Sequence, residues 1–293
     1  MGWKERLLKW FEADESAFSR LQSRTITLDD HPDNVAVFEA VSLTEACLKA
    51  DAAMRRPEIQ GAIWVRNERE PFLKERMGAV TNLREKAETQ VFDGEYLRKP
   101  NGVSLQTDMI RQKDGAYKPK FESYSKVTAE EIIEPERLAE LKELSTLFAA
   151  TTLNCRYQMT EHIDPHYDYF TNDPLADIQE DRLFLGRPLR ILVSRHQATT
   201  IIYNTLGEYP ESLRGGNIRG RWREKLAEAW QPAVGDYVFQ CNLRWGNDKA
   251  LPHSPPEFST EDEADCRIID IYDVSEGQDL SGIQPEDIST EPV

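Results

Sequence analysis

The stretch CRIIDIYDV, residues 266–274, is short and rich in β-branched and aromatic residues, a composition that is typical of a β-strand. Three runs upstream share this composition: LRILVSR at 189–195, TTIIYN at 199–204 and DYVFQCNL at 236–243. Glycine, proline, asparagine and aspartate separate these runs, so the chain is expected to turn between them. A helix is predicted at 219–230, between the second and third runs. The second half of the chain therefore predicts a compact β-sandwich or small barrel.

The first half of the chain differs from the second in composition and in periodicity. VAVFEAV at 35–41 and GAIWVRN at 61–67 are predicted strands, and Ser42 with Glu45 forms the capping box of a helix between them. The stretch 93–127 is rich in glycine, lysine, tyrosine and proline and has weak periodicity. We interpret it as an extended loop that crosses the surface of the domain.

Together, the patterns of the two halves predict a single domain over residues 1–275. Its part at 1–150 is expected to be a mainly helical support region, with one helix beginning at Pro135. Its part at 151–275 is expected to hold the β core. The segment 276–293 is acidic and poor in apolar residues, which predicts a disordered tail.

The overall composition narrows the classes of function. The chain has 293 residues and a formal net charge of −16, and such an acidic surface repels phosphate backbones and anionic lipid. We therefore expect neither a nucleic-acid partner nor a membrane partner. The four cysteines are scattered without a C-x-x-C pair, which favours reduced thiols in a cytoplasmic protein. The expected partner is a small-molecule substrate, and a homodimer is left open.

The decapeptide EHIDPHYDYF, residues 161–170, contains two H-x-D pairs, His162 with Asp164 and His166 with Asp168. Alternate residues of a strand point to the same face, so each pair would aim an imidazole and a carboxylate at one point, where a divalent metal could bind. A proline is tolerated at the start of a strand but not inside it, which favours the pair that follows the proline. The first pair and a metal-free polar loop remain alternatives.

His253 is the candidate for a further metal ligand. One more imidazole would complete a two-His-one-carboxylate triad, which leaves positions open on iron(II) for a cosubstrate and dioxygen. Arg267 follows fourteen residues later, and its guanidinium suits a carboxylate in a bidentate arrangement. A dicarboxylate could thus chelate the metal at one end and meet Arg267 at the other. The simpler alternatives are a turn at His253 and a surface pair between Arg267 and Asp265.

An H-x-D pair, a distant histidine and then a basic residue, in this order in a β-rich half, resemble the iron(II)/2-oxoglutarate-dependent dioxygenases. Residues 165–170, PHYDYF, look like the metal motif of the prolyl-hydroxylase-like branch, and the resemblance covers about 151–274. It implies an α+β fold in which a double-stranded β-helix, or jelly roll, is braced by N-terminal helices.

The same resemblance implies a set of site residues. His166, Asp168 and His253 would hold Fe(II), and Arg267 would bind the distal carboxylate of 2-oxoglutarate. The implied activity is hydroxylation or desaturation of a small-molecule or amino-acid-like substrate, with decarboxylation of 2-oxoglutarate to succinate.

The sequence departs from the family pattern around Arg267. The prolyl-hydroxylase-like branch usually has lysine at this place, and other branches have Arg-x-Ser, whereas two isoleucines follow the arginine here. A hydroxyl partner for 2-oxoglutarate would have to come from elsewhere, and the candidates are Thr199, Thr200 and Tyr203.

The principal alternative is a cupin-like barrel that binds a metal or an acidic ligand without oxygenase activity, although the G-x-H-x-H cluster of cupins is absent. A structural partner protein that has lost its chemistry is a third hypothesis. Two further arginines, Arg190 and Arg195, are expected to be solvated, with either able to reach an acidic substrate. His196 is expected in a hairpin turn.

Overall fold

A computed structural model describes residues 23–66, 102–111, 117–122, 135–158, 183–186, 189–197, 199–205, 226–241, 251–255 and 267–277. The helices in these ranges are α1 (Leu43–Met54) and α2 (Pro135–Leu147), and a 3-10 turn covers Leu183–Gly186. The strands are β1 (Arg24–Thr25), β2 (Val35–Phe38), β3 (Gly61–Trp64), β4 (Gly102–Arg111), β5 (Tyr117–Glu122), β6 (Phe148–Gln158), β7 (Leu189–Gln197), β8 (Ile201–Thr205), β9 (Leu226–Gln231), β10 (Tyr237–Cys241), β11 (His253–Ser254) and β12 (Arg267–Gly277).

These strands form two sheets. The smaller sheet has the strand order β1-β9-β8-β11, and the larger has the order β2-β3-β10-β7-β12-β6-β4-β5. The pairs β1 with β9 and β2 with β3 are parallel, and the other pairs are antiparallel. The helix α1 connects β2 to its parallel neighbour β3, because parallel strands need a crossover connection. Two packed, mostly antiparallel sheets make a jelly-roll-like fold.

The strand β12, in the middle of the eight-stranded sheet, contributes side chains to a core on each face of that sheet. In β12, Ile269 and Ile271 belong to a core that also contains Ile202 of the four-stranded sheet. The alternate residues Tyr272 and Val274 belong to a second core, which includes side chains of α1 and α2. We call the first side of the sheet the inner face and the second the helix-facing face. Burial on both faces explains why β12 has apolar residues at both alternating sets of positions rather than at one set only.

The helix α1 begins as its sequence predicts. Ser42 lies in extended conformation at the N-cap and accepts a hydrogen bond from the Glu45 N–H at 3.1 Å. The Glu45 carboxylate accepts from the N–H of Val41 at 2.8 Å, one residue before the expected position. Burial of one face of the helix against the eight-stranded sheet then fixes it in the helix-facing core. The start of α2 at Pro135 also agrees with the prediction.

The predicted loop at 93–127 is wrong where the structure describes it. Residues 102–111 and 117–122 form the antiparallel pair β4 and β5, and β4 also pairs with β6. Backbone hydrogen bonds to neighbouring strands can hold a polar strand of weak periodicity in a sheet. The support region at 1–150 is therefore not mainly helical in its described part, which contains five complete strands beside the two helices.

Two other boundaries also differ from the sequence predictions. Residues 226–231 form β9 rather than the end of the predicted helix, because the segment pairs with β8 on one side and β1 on the other. The strand β12 continues to Gly277, two residues beyond the predicted end of the domain at 275. Ser275 and Gly277 pair through their backbones with β6, which requires no apolar side chain. The remaining strands predicted in the second half are confirmed.

No helix in the described part of the chain is long and apolar enough to cross a membrane.

Candidate functional site

The buried histidine of the predicted triad, His253, lies on the inner side of the four-stranded sheet. In the register of β11 with β8, His253 is directly opposite Ile202. Directly opposed residues of an antiparallel pair point to the same face, and Ile202 belongs to the core between the two sheets. The imidazole is 5% exposed. The structure thus directs His253 into the interior of the jelly roll.

A backbone carbonyl determines which nitrogen of His253 carries the proton. Its Nδ1 lies 3.1 Å from the carbonyl oxygen of Leu251. A carbonyl oxygen only accepts hydrogen bonds, so Nδ1 is the donor. In the neutral ring the lone pair is then on Nε2, which is the tautomer in which an imidazole binds a metal while its other nitrogen is held by a carbonyl. This arrangement is compatible with metal binding through Nε2 of His253.

The topology brings His253 and Arg267 to the same end of the sandwich. Arg267 begins β12 and is opposite Gln158 of β6 and Gln197 of β7 in the register. Ile202, the partner of His253, follows Gln197 by five residues. Five residues of extended chain span at most about 18 Å, so β11 and the beginning of β12 lie near each other.

The preferred metal pair, His166 with Asp168, lies outside the described residues, as does the alternative pair at 162–164. The strand β6 ends at Gln158, which is opposite Arg267 in the register, four residues before His162 in the sequence. Across the ranges that the structure describes, no three His, Cys, Asp or Glu side chains come close enough to hold a metal ion. Of the predicted triad, the structure places His253.

Tyr203 and His253 lie on opposite faces of the four-stranded sheet. The Tyr203 hydroxyl and the Ser254 hydroxyl are hydrogen-bonded at 2.9 Å, and both side chains are buried. Ser254 is opposite Ile201, and Tyr203 is two positions from Ile201 along β8. Because side chains alternate along a strand, Tyr203 and Ser254 lie on the face of the sheet opposite to His253. Tyr203 is therefore the hydrogen-bond partner of Ser254, a contact that the sequence did not reveal. This geometry does not support its predicted role in cofactor binding.

Thr199 and Thr200 have a more suitable position. Both are buried, and they lie in the connection between β7 and β8, two and three residues after Gln197, which pairs with Arg267. Their predicted role as hydroxyl partners of a bound carboxylate stays a prediction.

Two arginines that were expected to be solvated are instead held in ion pairs. Arg195 is buried, and its guanidinium lies 2.5 Å from Asp270 and 2.7 Å from Glu140. Burial by itself would lower the pKa of the Arg195 guanidinium, but the neighbouring carboxylates and phenols raise it above its ordinary value. Arg190 is partly buried and pairs with Asp273 at 2.7 Å. Both charges are therefore balanced within the protein, which removes the reason to assign either arginine to an acidic substrate.

Arg195 belongs to a buried polar network on the helix-facing face. The phenols of Tyr237 and Tyr272 donate to the Glu140 carboxylate at 2.5 and 2.6 Å. A second guanidinium, that of Arg137, lies 3.0 Å from the Asp270 carboxylate. Two arginines and two carboxylates thus balance in charge and connect α2 to β7, β10 and β12. An aspartate in the middle of the apolar run RIIDIYDV was the sequence signal for this network, because a buried carboxylate requires a partner.

His196 does not lie in a hairpin turn. The strand β7 continues to Gln197, and the backbone of His196 is paired with that of Ile268 in β12. The chain turns only after this pair.

No family model matches the sequence, and no curated protein matches it. Several solved structures match it over most of its length at low identity. A full-length protein of Neurospora crassa in complex with alpha-KG matches with a TM-score of 0.45 and 10% identity, over 90% of this chain and 94% of that chain. The dioxygenase for auxin oxidation 1 from Arabidopsis thaliana, in a complex with 2-oxoglutarate, matches with a TM-score of 0.44 and 11% identity, over 87% and 99%. A putative 2OG-Fe(II) oxygenase family protein from Caulobacter crescentus matches with a TM-score of 0.39 and 10% identity, over 89% and 95%.

Proposed function

We propose that this chain is an Fe(II)/2-oxoglutarate-dependent oxygenase with a double-stranded β-helix core. The observation that carries the proposal is the buried imidazole of His253, which faces the interior with its Nδ1 held by the Leu251 carbonyl. It lies at the end of the sandwich where Arg267 begins β12. The sequence supplies the H-x-D pair that such a histidine needs for a facial triad.

In this proposal each residue has a separate task. His253, His166 and Asp168 hold the metal, and the Leu251 carbonyl keeps the His253 proton on Nδ1 so that Nε2 can bind. Arg267 binds the distal carboxylate of 2-oxoglutarate, with Thr199 or Thr200 as its hydroxyl partner. When bound, iron(II) and 2-oxoglutarate supply the oxidising chemistry, in which dioxygen oxidises the substrate and 2-oxoglutarate is decarboxylated to succinate.

The proposed reaction is hydroxylation or desaturation of a small-molecule or amino-acid-like substrate. A carboxylate at position 168 favours these outcomes over halogenation, because halogenases of the superfamily replace that residue to make room for chloride. The motif at residues 165–170 resembles that of the prolyl-hydroxylase-like branch, while the arginine at position 267, where that branch usually has lysine, argues against a proline substrate.

The experiment that tests the proposal is an anaerobic titration of the apoprotein. Iron(II) is added, followed by 2-oxoglutarate, and the visible charge-transfer band of the chelate is recorded. We expect a band in the wild type, its loss in His253→Ala and His166→Ala, and a requirement for more 2-oxoglutarate in Arg267→Ala. His31→Ala is the matched control, since the Nδ1 of His31 also lies near a backbone carbonyl, that of Pro32 at 3.2 Å, but far from the site in sequence.

Two results would contradict the proposal. If no band forms and the metal affinity is the same in His253→Ala as in His31→Ala, His253 is not a metal ligand. If iron binds through His253 but 2-oxoglutarate gives no band in any variant, the chain is a metal-binding barrel without oxygenase chemistry, the cupin-like alternative.

A further inference from the structure

A glycine of the larger sheet lies unusually close to the segment that carries His253. If Gly61 of β3 had a Cβ atom, that atom would lie 2.7 Å from Cδ2 of Leu251 and 3.1 Å from the carbonyl oxygen of Phe239. Ordinary carbon–carbon contacts are about 3.5 to 4.0 Å, so a side chain at this position would collide with Leu251. The absence of a side chain at Gly61 is therefore what allows Leu251 to pack directly against the eight-stranded sheet.

The neighbouring groups determine which atom would move if a methyl group were added. Phe239 belongs to β10, which pairs with β3 and lies in the middle of the sheet, so its carbonyl is held by the ladder. Leu251 lies outside any strand, two residues before the start of β11. The atom that would be struck is a terminal methyl of Leu251, so the collision would be relieved by a shift of that side chain, which is buried in the core between the sheets.

Leu251 is also the residue that orients the His253 ring. Its side chain is anchored against Gly61, and its carbonyl accepts the hydrogen bond from Nδ1 of His253. The next carbonyl, that of Pro252, accepts from the N–H of Tyr203 at 3.0 Å. The segment 251–253 is thus fixed at one point to the larger sheet and at another to the smaller sheet, and His253 takes its orientation from both.

We propose that Gly61 is a positioning residue for His253. Because Gly61 has no side chain, Leu251 can pack closely against it. The packed position of Leu251 places its carbonyl where it accepts the hydrogen bond that selects the Nδ1–H tautomer of His253. The contribution to metal binding rests on the proposed function, whereas the orientation of the ring is a property of the protein without metal. The two parts can therefore be tested separately.

The first test is made on the protein without metal. Long-range proton–nitrogen NMR correlations of the His253 ring distinguish the Nδ1–H from the Nε2–H tautomer. We expect the Nδ1–H form in the wild type and a mixture of the two forms in Gly61→Ala. The double variant Gly61→Ala with Leu251→Val removes about as much volume as it adds, and we expect it to restore the wild-type spectrum.

The second test measures the affinity for cobalt(II) alone, from its visible absorption. Loss of a group that orients a metal-binding histidine typically weakens metal binding 10- to 100-fold, so we expect roughly a tenfold loss in Gly61→Ala and recovery in the double variant. Ile191→Val is the control for general destabilisation, because Ile191 belongs to the helix-facing core and its change is also a single carbon atom. We expect unchanged cobalt(II) affinity in this control.

A wild-type tautomer together with wild-type cobalt(II) affinity in folded Gly61→Ala would overturn the proposal. Should Gly61→Ala fail to fold, Leu251→Ala carries the same test, because it withdraws the packed side chain without adding an atom. If His253→Ala leaves the cobalt(II) affinity unchanged, the proposed function fails, and the NMR result still decides whether Gly61 orients the ring.

Discussion

The same two strands, β7 and β12, are joined by two Arg–Asp pairs that differ in their surroundings. Arg195 and Asp270 are fully buried, with side-chain exposures of 0% and 0%, on the helix-facing face. Arg190 and Asp273 retain exposures of 17% and 20%. The chemical groups and the strands are the same, but the buried pair also contacts Arg137 and Glu140, so the two pairs differ in burial and in the number of charged partners.

The buried pair lies at an irregularity of the ladder between β7 and β12. Arg195 is the extra residue of a β-bulge, since Ser194 and His196 pair with successive residues of β12 and Arg195 has no opposite position there. A bulge redirects a side chain, and here it accompanies an arginine that lies under α2 beside Glu140. Breaking a buried pair leaves a charge without solvent, whereas water can replace a lost partner at the partly exposed pair.

The largest effect is expected for Asp270→Asn. The change removes the carboxylate that faces both Arg137 and Arg195, and leaves a net positive charge in the interior. We expect the free energy of unfolding to fall by about 3 to 5 kcal/mol, as measured by urea denaturation at neutral pH. A loss below about 1 kcal/mol would show that burial does not distinguish the two pairs.

A smaller loss is expected for Glu140→Gln. This carboxylate is 15% exposed, comparable to Asp273, but it accepts hydrogen bonds from two phenols and one guanidinium. We expect a loss of about 2 kcal/mol in the free energy of unfolding, because several charge-assisted hydrogen bonds weaken together. Asp30→Asn, at a largely exposed pair with Arg24, serves as the control for loss of a surface carboxylate. Equal losses in the two variants would mean that the number of partners is unimportant.

The phenols of this network predict a decline in stability at high pH. Burial, with the nearby Glu140 carboxylate, raises the pKa of Tyr237 and Tyr272 above the ordinary phenol value of 10.0. Above pH 10 the unfolded chain loses protons that the folded protein retains, so the free energy of unfolding falls by about 1.4 kcal/mol per pH unit for each phenol. Below pH 10 neither state releases these protons, and this contribution to stability is fully present.

Urea denaturation between pH 8 and pH 11 measures this slope. We expect Tyr237→Phe and Tyr272→Phe each to be less stable than the wild type at pH 8, yet to lose less stability per pH unit above pH 10. A slope that is the same in the wild type and both variants would exclude these phenols as its cause.

The smallest effect is expected for Asp273→Asn. The pair with Arg190 is partly solvated, and such pairs typically contribute 0.2 to about 1 kcal/mol. We expect a loss below about 1 kcal/mol that diminishes further in high salt, whereas the loss in Asp270→Asn should be nearly independent of salt. A large, salt-independent loss at Asp273 would remove the contrast between the pairs.

The sequence predicted β12 correctly, because a short run rich in β-branched and aromatic residues strongly favours a β-strand over a helix or a loop. It failed at β9, where LAEAW has the composition of a helix but two neighbouring strands override that preference. It also failed at Arg195, whose partners Glu140 and Asp270 are 55 and 75 residues away in the chain. Register, bulges and contacts between distant elements depend on the assembled fold, and no local pattern encodes them.

In the candidate site, too, the sequence predicted the residue types but not their arrangement. The residue types and the order of His253 and Arg267 were available from the sequence, since a metal ligand and a carboxylate partner have recognisable chemistry. The face on which Tyr203 lies was not, because it depends on the register of β8 with β11. The close approach at Gly61 likewise requires two segments that meet only in the fold.

The central position of β12 also governs the order of events during synthesis. It is the last of the described strands in the chain, yet it lies between β7 and β6 in the middle of the larger sheet. Before β12 has been synthesised, β6 and β7 each lack the native partner of one edge, because β12 pairs with both. Contacts of such large sequence separation form slowly, so the nascent protein depends on protection of those edges until residues 267–277 emerge.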